Sequence, residues 1–433
     1  MSSALTTEPE APSFRSALAY WLRLGCISFG GPAGQVALMH QELVERRRWI
    51  SEGRFLHALN YCMLLPGPEA QQLATYLGWL LHGVRGGIAA GLLFVLPSLL
   101  LLIALSWSYL ALGSTASAAL LAGVKPAVIA IIAHAAWRVG QRSLRRPASR
   151  ALALCGFALL GLLPVQAWTF PLLLVLAAVC GWFWRSAFVA ATTAPVEAAD
   201  RRPALIDDHS PPPAHAEIRP RRLLLIALLG IGLGLAVWAV LALSGGADGP
   251  LARMAAFFTQ AALLTFGGAY AVLPYVFQNA VQTYGWISAP QMLDGLALGE
   301  STPGPLIMVV AFIGYLGAAG VGQHWAAGIA GALVASFFTF LPSFLFILLG
   351  APWVERSRNF TALTAPLNAI SAVVLAAIAH LAVVLAVQQF WPASGFDARA
   401  ALLAGFGLLA LIRGWLGVVP LLALSAALGW IWL

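Results

Sequence analysis

The chain has 433 residues, 61% hydrophobic and only 9% charged, against about 25% charged in an average soluble domain. The formal net charge is +8. The arginines fall at the ends of apolar runs rather than on one patch, so they set orientation in a bilayer and give no footprint for nucleic acid. An all-α polytopic membrane protein is expected, with the lipid bilayer as its first partner.

In chain order, residues 1–13 form a tail with Glu8 and Glu10 and no basic stretch ahead of an apolar core, unlike a cleavable signal peptide. A first transporter-like unit is expected over 14–187. It opens on a helix broken at Phe29-Gly30-Gly31-Pro32, followed by Arg46-Arg47-Arg48-Trp49. The next break is Pro66-Gly67-Pro68. The runs Gly86–Leu112 and Ala116–Trp137 then follow, each long enough to cross a bilayer, which needs roughly 20 apolar residues. Positive charge marks the cytoplasmic side, so Arg46–Arg48 and the segment from Arg138 through Arg142, Arg145 and Arg146 to Arg150 should share it. Two clear spans lie between these basic segments, so residues 55–84 should cross an even number of times. A helix over 55–65 would reach only about 16 Å at 1.5 Å per residue, roughly half the hydrocarbon thickness. The segment therefore reads as a re-entrant hairpin with Pro66-Gly67-Pro68 at its tip, and the Phe29–Pro32 break can be read the same way.

Residues 190–220 differ from their surroundings: they are rich in Asp, Glu, Arg and His and contain Pro211-Pro212-Pro213. Such a stretch cannot bury a core, so 188–222 is expected to be a disordered cytoplasmic linker. His209 and His215 sit there as linker histidines rather than as a metal site. A single connecting span over 223–250 follows, then a second unit over 251–433. Cys26, Cys62, Cys155 and Cys180 occur singly in apolar runs, with no CxxC pair to suggest a redox centre.

The second unit repeats the first. Phe29-Gly30-Gly31, Trp49-Ile50-Ser51 and Pro66-Gly67-Pro68 return as Phe266-Gly267-Gly268, Trp286-Ile287-Ser288 and Pro303-Gly304-Pro305, all at 237 positions (266 − 29, 286 − 49, 303 − 66). Leu96-Pro97-Ser98 matches Leu341-Pro342-Ser343 at 245 (341 − 96), and His134 matches His380 at 246 (380 − 134). Loop charges do not repeat. Arg46–Arg48 correspond to Thr283-Tyr284-Gly285, and the neutral loop 113–117 corresponds to one carrying Glu355, Arg356 and Arg358. Loops basic in one copy are neutral in the other, so the copies should be inserted upside down relative to each other, with the unpaired span over 223–243 inverting the second. Two inverted-topology repeats with broken or re-entrant helices are the expected architecture.

Broken helices leave unpaired N–H groups at the start of the second half, with the positive end of the helix dipole beside them, and anions bind there. Candidate anion donors are the backbones of Gly30, Gly31, Gly34, Gly67, Gly267, Gly268 and Gly304, with hydroxyls from Ser28, Thr265, Ser301 and Thr302. Lys125 is the only lysine in the chain and lies at the start of an apolar span, where an ammonium could neutralise one charge of a dianion. Glu69 follows one Pro-Gly-Pro and Glu300 precedes the other. With the aligned His134 and His380 they are the proton-coupling candidates. The chain has no Asp-rich metal motif, no HExxH and no Gly-x-Ser-x-Gly, and no cofactor or enzymatic role is expected.

Phe29-Gly30-Gly31-Pro32, Glu45-Arg46-Arg47-Arg48-Trp49, Leu65-Pro66-Gly67-Pro68 and Leu96-Pro97-Ser98 resemble the signature of the chromate ion transporter family. Thr265-Phe266-Gly267-Gly268, Ser301-Thr302-Pro303-Gly304-Pro305 and Phe340-Leu341-Pro342-Ser343 are similar to that family's second repeat. The resemblance implies a two-repeat, multi-pass protein of the bacterial inner membrane that exports chromate using the proton-motive force and confers chromate resistance. Sulfate, a tetrahedral dianion of the same shape, is the related substrate. The residues alone leave open chromate against sulfate, a carrier against an anion channel, and whether the protein is a homodimer.

Overall fold

The computed structural model describes residues 11–162, 169–188, 204–208, 210, 211, 213–320, 324–356, 364–392 and 395–432. All regular structure among them is helical, in keeping with the apolar composition. The first unit comprises α1 (Phe14–Ile27), α2 (Gly31–His40), α3 (Glu52–Leu64), α4 (Glu69–Leu121), α5 (Val124–Ser143), α6 (Pro147–Leu162), α7 (Thr169–Phe183) and the short α8 (Arg185–Phe188). The connecting span is α9 (Pro220–Gly245). The second unit comprises α10 (Pro250–Leu263), α11 (Ala269–Phe277), α12 (Ala289–Ser301), α13 (Val309–Ala319), α14 (Trp325–Arg356), α15 (Thr364–Phe390), α16 (Ala398–Arg413) and α17 (Val418–Trp432).

The sequence repeat extends to local geometry. A six-residue π-helical turn closes α2 at Gln41–Arg46, and another closes α11 at Gln278–Thr283. Both α3 and α12 are 13 residues long, and each is capped by a serine, Ser51 or Ser288, that accepts from a first-turn N–H. Aromatic clusters match as well. Tyr20, Trp21 and Trp49 hold Arg47 over two rings, while Phe257, Phe258 and Trp286 receive Tyr284, stacked on Trp286 at 4.4 Å. A cation in one copy is thus replaced by a ring in the other, the physical counterpart of the loop-charge asymmetry.

α4 is helical throughout but not straight. Its apolar portion of 44 residues would measure about 66 Å if extended, twice the hydrocarbon core. Instead it reverses at Gly83, where φ is +64°, and Gly78 and Gly86 let the two arms touch: a Cβ on Gly78 would lie 2.6 Å from the Gly86 carbonyl. α13 and α14 fold back at Gly320, φ +61°, with Gly314 against Gly331 in the same way.

Residues 55–84 form a hairpin along α14, as the contacts of each part show. α3 starts at Arg54, ion-paired with Glu355 at the end of α14. It then passes Tyr61, whose hydroxyl donates to the Phe346 carbonyl at 3.0 Å, and its tip Gly67 faces Ser343. The chain then returns along α14, since Tyr76 donates to the same Glu355 at 2.5 Å. α1 and α2 do likewise. Phe14 sits beside His82, Gly25 packs on Leu93 and Pro97, Ser28 reaches Gly304, and His40 comes back to Glu52. In the second unit α12 starts near Tyr109, to which Asp294 is hydrogen-bonded, and ends with Gly304 against Ser98. The arm of α4 from Gly83 through Ser98 to Tyr109 connects the two ends, so α3 and α12 enter the bundle from opposite ends.

The described part of the 188–222 linker is ordered against the bundle, where a disordered stretch was expected. Residues 189–203, His209 and Pro212 lie outside the described residues, and the described remainder is docked. Ile206 exchanges backbone hydrogen bonds with Trp49 and Ser51, Asp208 accepts from the Ser51 hydroxyl at 2.7 Å, and Arg54 donates to the carbonyls of Asp207 and Ser210. His215 meets the Trp79 ring edge-on at 5.2 Å. The acidic and polar residues that exclude this stretch from a core supply the partners for α3's exposed first turn.

Candidate functional site

Each Pro-Gly-Pro tip is locked into the other unit. The Gly67 N–H donates to the Thr265 carbonyl at 2.7 Å, and the Gly304 N–H donates to the Ser28 carbonyl at 2.8 Å. Gln35 reinforces one lock, donating to the Gly304 carbonyl at 2.6 Å, and Gln72 braces the other tip by donating to the Pro66 carbonyl at 2.7 Å. Only glycine fits here: φ is +126° at Gly67 and +113° at Gly304, and a Cβ would fall 2.4 Å from Ser343 Oγ or 2.6 Å from Ser98 Cβ.

This interlock corrects part of the expected donor set. The amides of Gly67 and Gly304 are already used. The hydroxyls of Ser28, Thr265, Ser301 and Thr302 donate back to carbonyls of their own helices (Leu24, Ala261, Ala297 and Gly299), at 2.6 to 3.0 Å. These residues hold the break together and have no hydroxyl hydrogen left for an anion.

Beside the interlock lies a cavity of about 1070 Å³ between α2, α3, α5, α11 and α15. Its lining includes His40, Glu45, Arg142 and Ser143, of which Glu45 and Arg142 are exposed to solvent. Of the candidate residues, Gly34, Gly267, Gly268 and Glu69 line it; Gly30, Gly31 and Glu300 do not. Gly268 begins α11 without a side-chain cap, so the first-turn amides and the positive dipole end face the space, and a Cβ on Gly268 would lie 3.6 Å from Glu69 Oε1. Glu300 is one layer back, accepting at 2.7 Å from the hydroxyl of Tyr270, which does line the cavity.

Two arginines supply the cavity's positive charge, opposite Glu45 and Glu69. α5 continues to Ser143, and Ala135, Arg138, Val139 and Arg142 form one face of it, directed at the cavity. Neither arginine has an ion pair or hydrogen bond among the described residues. The i, i+3, i+4, i+7 spacing of these four residues is the sequence signal for a shared helix face. Lys125, by contrast, is not in the cavity: its Nζ lies 2.9 Å from Asp294 Oδ1. His134 stacks on Trp137 and His380 meets Phe157, and neither lines the cavity. No group of metal-ligating side chains occurs among the described residues.

Two unpartnered guanidiniums facing an uncapped helix N-terminus, inside a bundle of apolar helices, define a polytopic membrane protein with an anion-compatible vestibule. The chain belongs to the chromate transporter family, whose profile matches residues 16–182 and 252–430, one segment per unit. It is 31% identical to a chromate transport protein of Cupriavidus metallidurans over 91% of this chain and 87% of that one. Identity is 32% to a chromate transport protein of Pseudomonas aeruginosa, over 88% and 83% of the two chains. A probable chromate transport protein of Synechococcus elongatus is 30% identical, over 96% and 93%. No solved structure matches the chain.

Proposed function

We propose that the protein is a secondary transporter that exports chromate across a bacterial inner membrane, coupled to the proton-motive force, and so confers chromate resistance. The observation that carries this reading is the cavity's donor set: Arg138, Arg142 and the first turn of α11 suit a tetrahedral dianion, and the family membership supplies chromate. Sulfate has the same charge and shape, and these donors do not distinguish it.

Energetics favour export. Moving one charge through 100 mV is worth about 2.3 kcal/mol, so an inside-negative potential drives a dianion outward by roughly 4.6 kcal/mol per 100 mV. Protons entering on the return leg add to this, and Glu69 is our candidate to carry them: its carboxylate shares the cavity with both arginines. The two units lie upside down to each other in the bilayer, as their loop charges and the opposite entry of α3 and α12 support.

Labelled chromate and sulfate, offered to inverted vesicles with and without a proton gradient, test substrate, direction and coupling together. Uptake of chromate that rises with the gradient in wild type and loses that dependence in Glu69→Gln is expected. Gradient-independent flux in wild type would point to a channel and remove the coupling.

A further inference from the structure

The two units are built from matching helices, yet one matching pair is shut and the other open. At one end α5 packs on α12. There Lys125 is ion-paired with Asp294, and Tyr109 donates to the second carboxylate oxygen at 2.9 Å; the lysine and aspartate side chains are only 12% and 3% exposed. The repeat equivalents of α5 and α12 are α15 and α3, which face each other across the cavity. Moving Lys125 along by 245 or 246 positions gives Ile370 or Ser371, and both line that cavity. The 237-position spacing of the earlier motifs turns the cavity residues Leu56, Leu59 and Met63 of α3 into Leu293, Leu296 and Glu300 (293 − 56, 296 − 59, 300 − 63), all buried. Gly267 and Gly268 line the cavity, whereas their partners Gly30 and Gly31 do not.

We propose that Lys125–Asp294 is the closed far-side gate, and that Lys125 is a second anion ligand, used when the protein faces the other way. The inference rests on the transport reading above and on inverted repeats exchanging conformations around a shared site. When α5 parts from α12 and α15 closes on α3, an equivalent cavity opens at the far end. It is lined by Leu293, Leu296, Glu300 and the Gly30-Gly31 break, with Lys125 where Ile370 or Ser371 now stands. A dianion arriving there competes with Asp294 for the ammonium, so the anion binds the open state more tightly than the closed one and stabilises it. Without the anion, Lys125 returns to Asp294 and the gate closes. The charges of the two states then come from different residues: Arg138 and Arg142 on the near side, Lys125 on the far side.

The discriminating variant is the double replacement Lys125→Met/Asp294→Leu. A buried ion pair adds little net stability over apolar residues of similar volume, so this protein should fold where either single change leaves a buried charge unpaired. If the pair were only structural, the double variant would transport chromate normally in vesicles, and that result would overturn the proposal. We expect it to reach the membrane in wild-type amount and to transport at least about 10-fold more slowly, equivalent to ~1.4 kcal/mol. A second measurement does not depend on that variant. In a cysteine-free background, Leu296→Cys should react with an impermeant maleimide from the far face, faster when chromate is present. No far-face labelling under any condition would also sink the idea. Failure of wild-type vesicles to move chromate or sulfate is a different outcome, and removes the transport reading itself.

Discussion

Arg138 and Arg142 differ in depth, and depth sets what each guanidinium is worth to an anion. Arg138 is half-buried along α5, while Arg142 stands exposed at the mouth, where water screens it. A charge-assisted hydrogen bond is worth about 1.5–3 kcal/mol, so Arg138→Gln should weaken chromate and sulfate binding roughly 10- to 100-fold. Arg142→Gln should cost less than about 5-fold, as exposed charges contribute little. Calorimetric titration of the purified protein with either anion checks the order, and equal losses would contradict it. Lys125, although the only lysine, carries none of this near-side charge, since Asp294 holds it.

Among the helices, the short broken ones owe their positions to partners in the opposite unit. Gly67→Ala would force a Cβ into the Ser343 hydroxyl at a backbone angle that L-residues rarely adopt; Gly304→Ala would do the same against Ser98. Each should cost about 1–3 kcal/mol of stability and impair transport, because the tip that carries the clash also positions the cavity wall. Thermal unfolding in detergent and vesicle transport check this, and full activity in either variant would confine the site to the other unit. α3 is held by a second device. Arg54 is buried with Glu355 of α14, and Tyr76 and the docked linker satisfy the remaining polar atoms. Glu355→Gln leaves a buried guanidinium with only neutral partners and should destabilise by about 3–5 kcal/mol, whereas Tyr76→Phe should cost about 1 kcal/mol. Similar melting shifts for both would place the ion pair nearer the surface than the structure does.

For the molecule as a whole, the question is orientation in the bilayer. Arg46 and Thr283 are repeat equivalents and both are exposed at the ends of matching π-helical turns. Single cysteines at the two positions, in a cysteine-free background, should be modified by an impermeant reagent from opposite faces. Labelling from one face alone contradicts the inverted arrangement. Opposite entry of α3 and α12 places the α3–α15 gap and the α5–α12 contact at opposite ends of the bundle. The present structure has α3 and α15 apart and α5 and α12 together.

Much of this was readable in the chain. The spacing of 237 between Phe-Gly-Gly, Trp-Ile-Ser and Pro-Gly-Pro motifs carries directly into matching caps, π-helical turns and left-handed glycines, because these depend on local backbone chemistry. Membrane residence and the shortness of the 55–65 helix followed from composition and from rise per residue. Only tertiary structure decided which donors are free. The amides of Gly67 and Gly304, open anion ligands by sequence, are occupied by the opposite unit, and Arg138, by sequence part of a basic cytoplasmic segment, is turned to the cavity by α5. A hydrogen-bonding group's availability depends on what lies across from it. Here that partner is 198 positions away for Gly67 (265 − 67) and 276 for Gly304 (304 − 28), where no local pattern reaches.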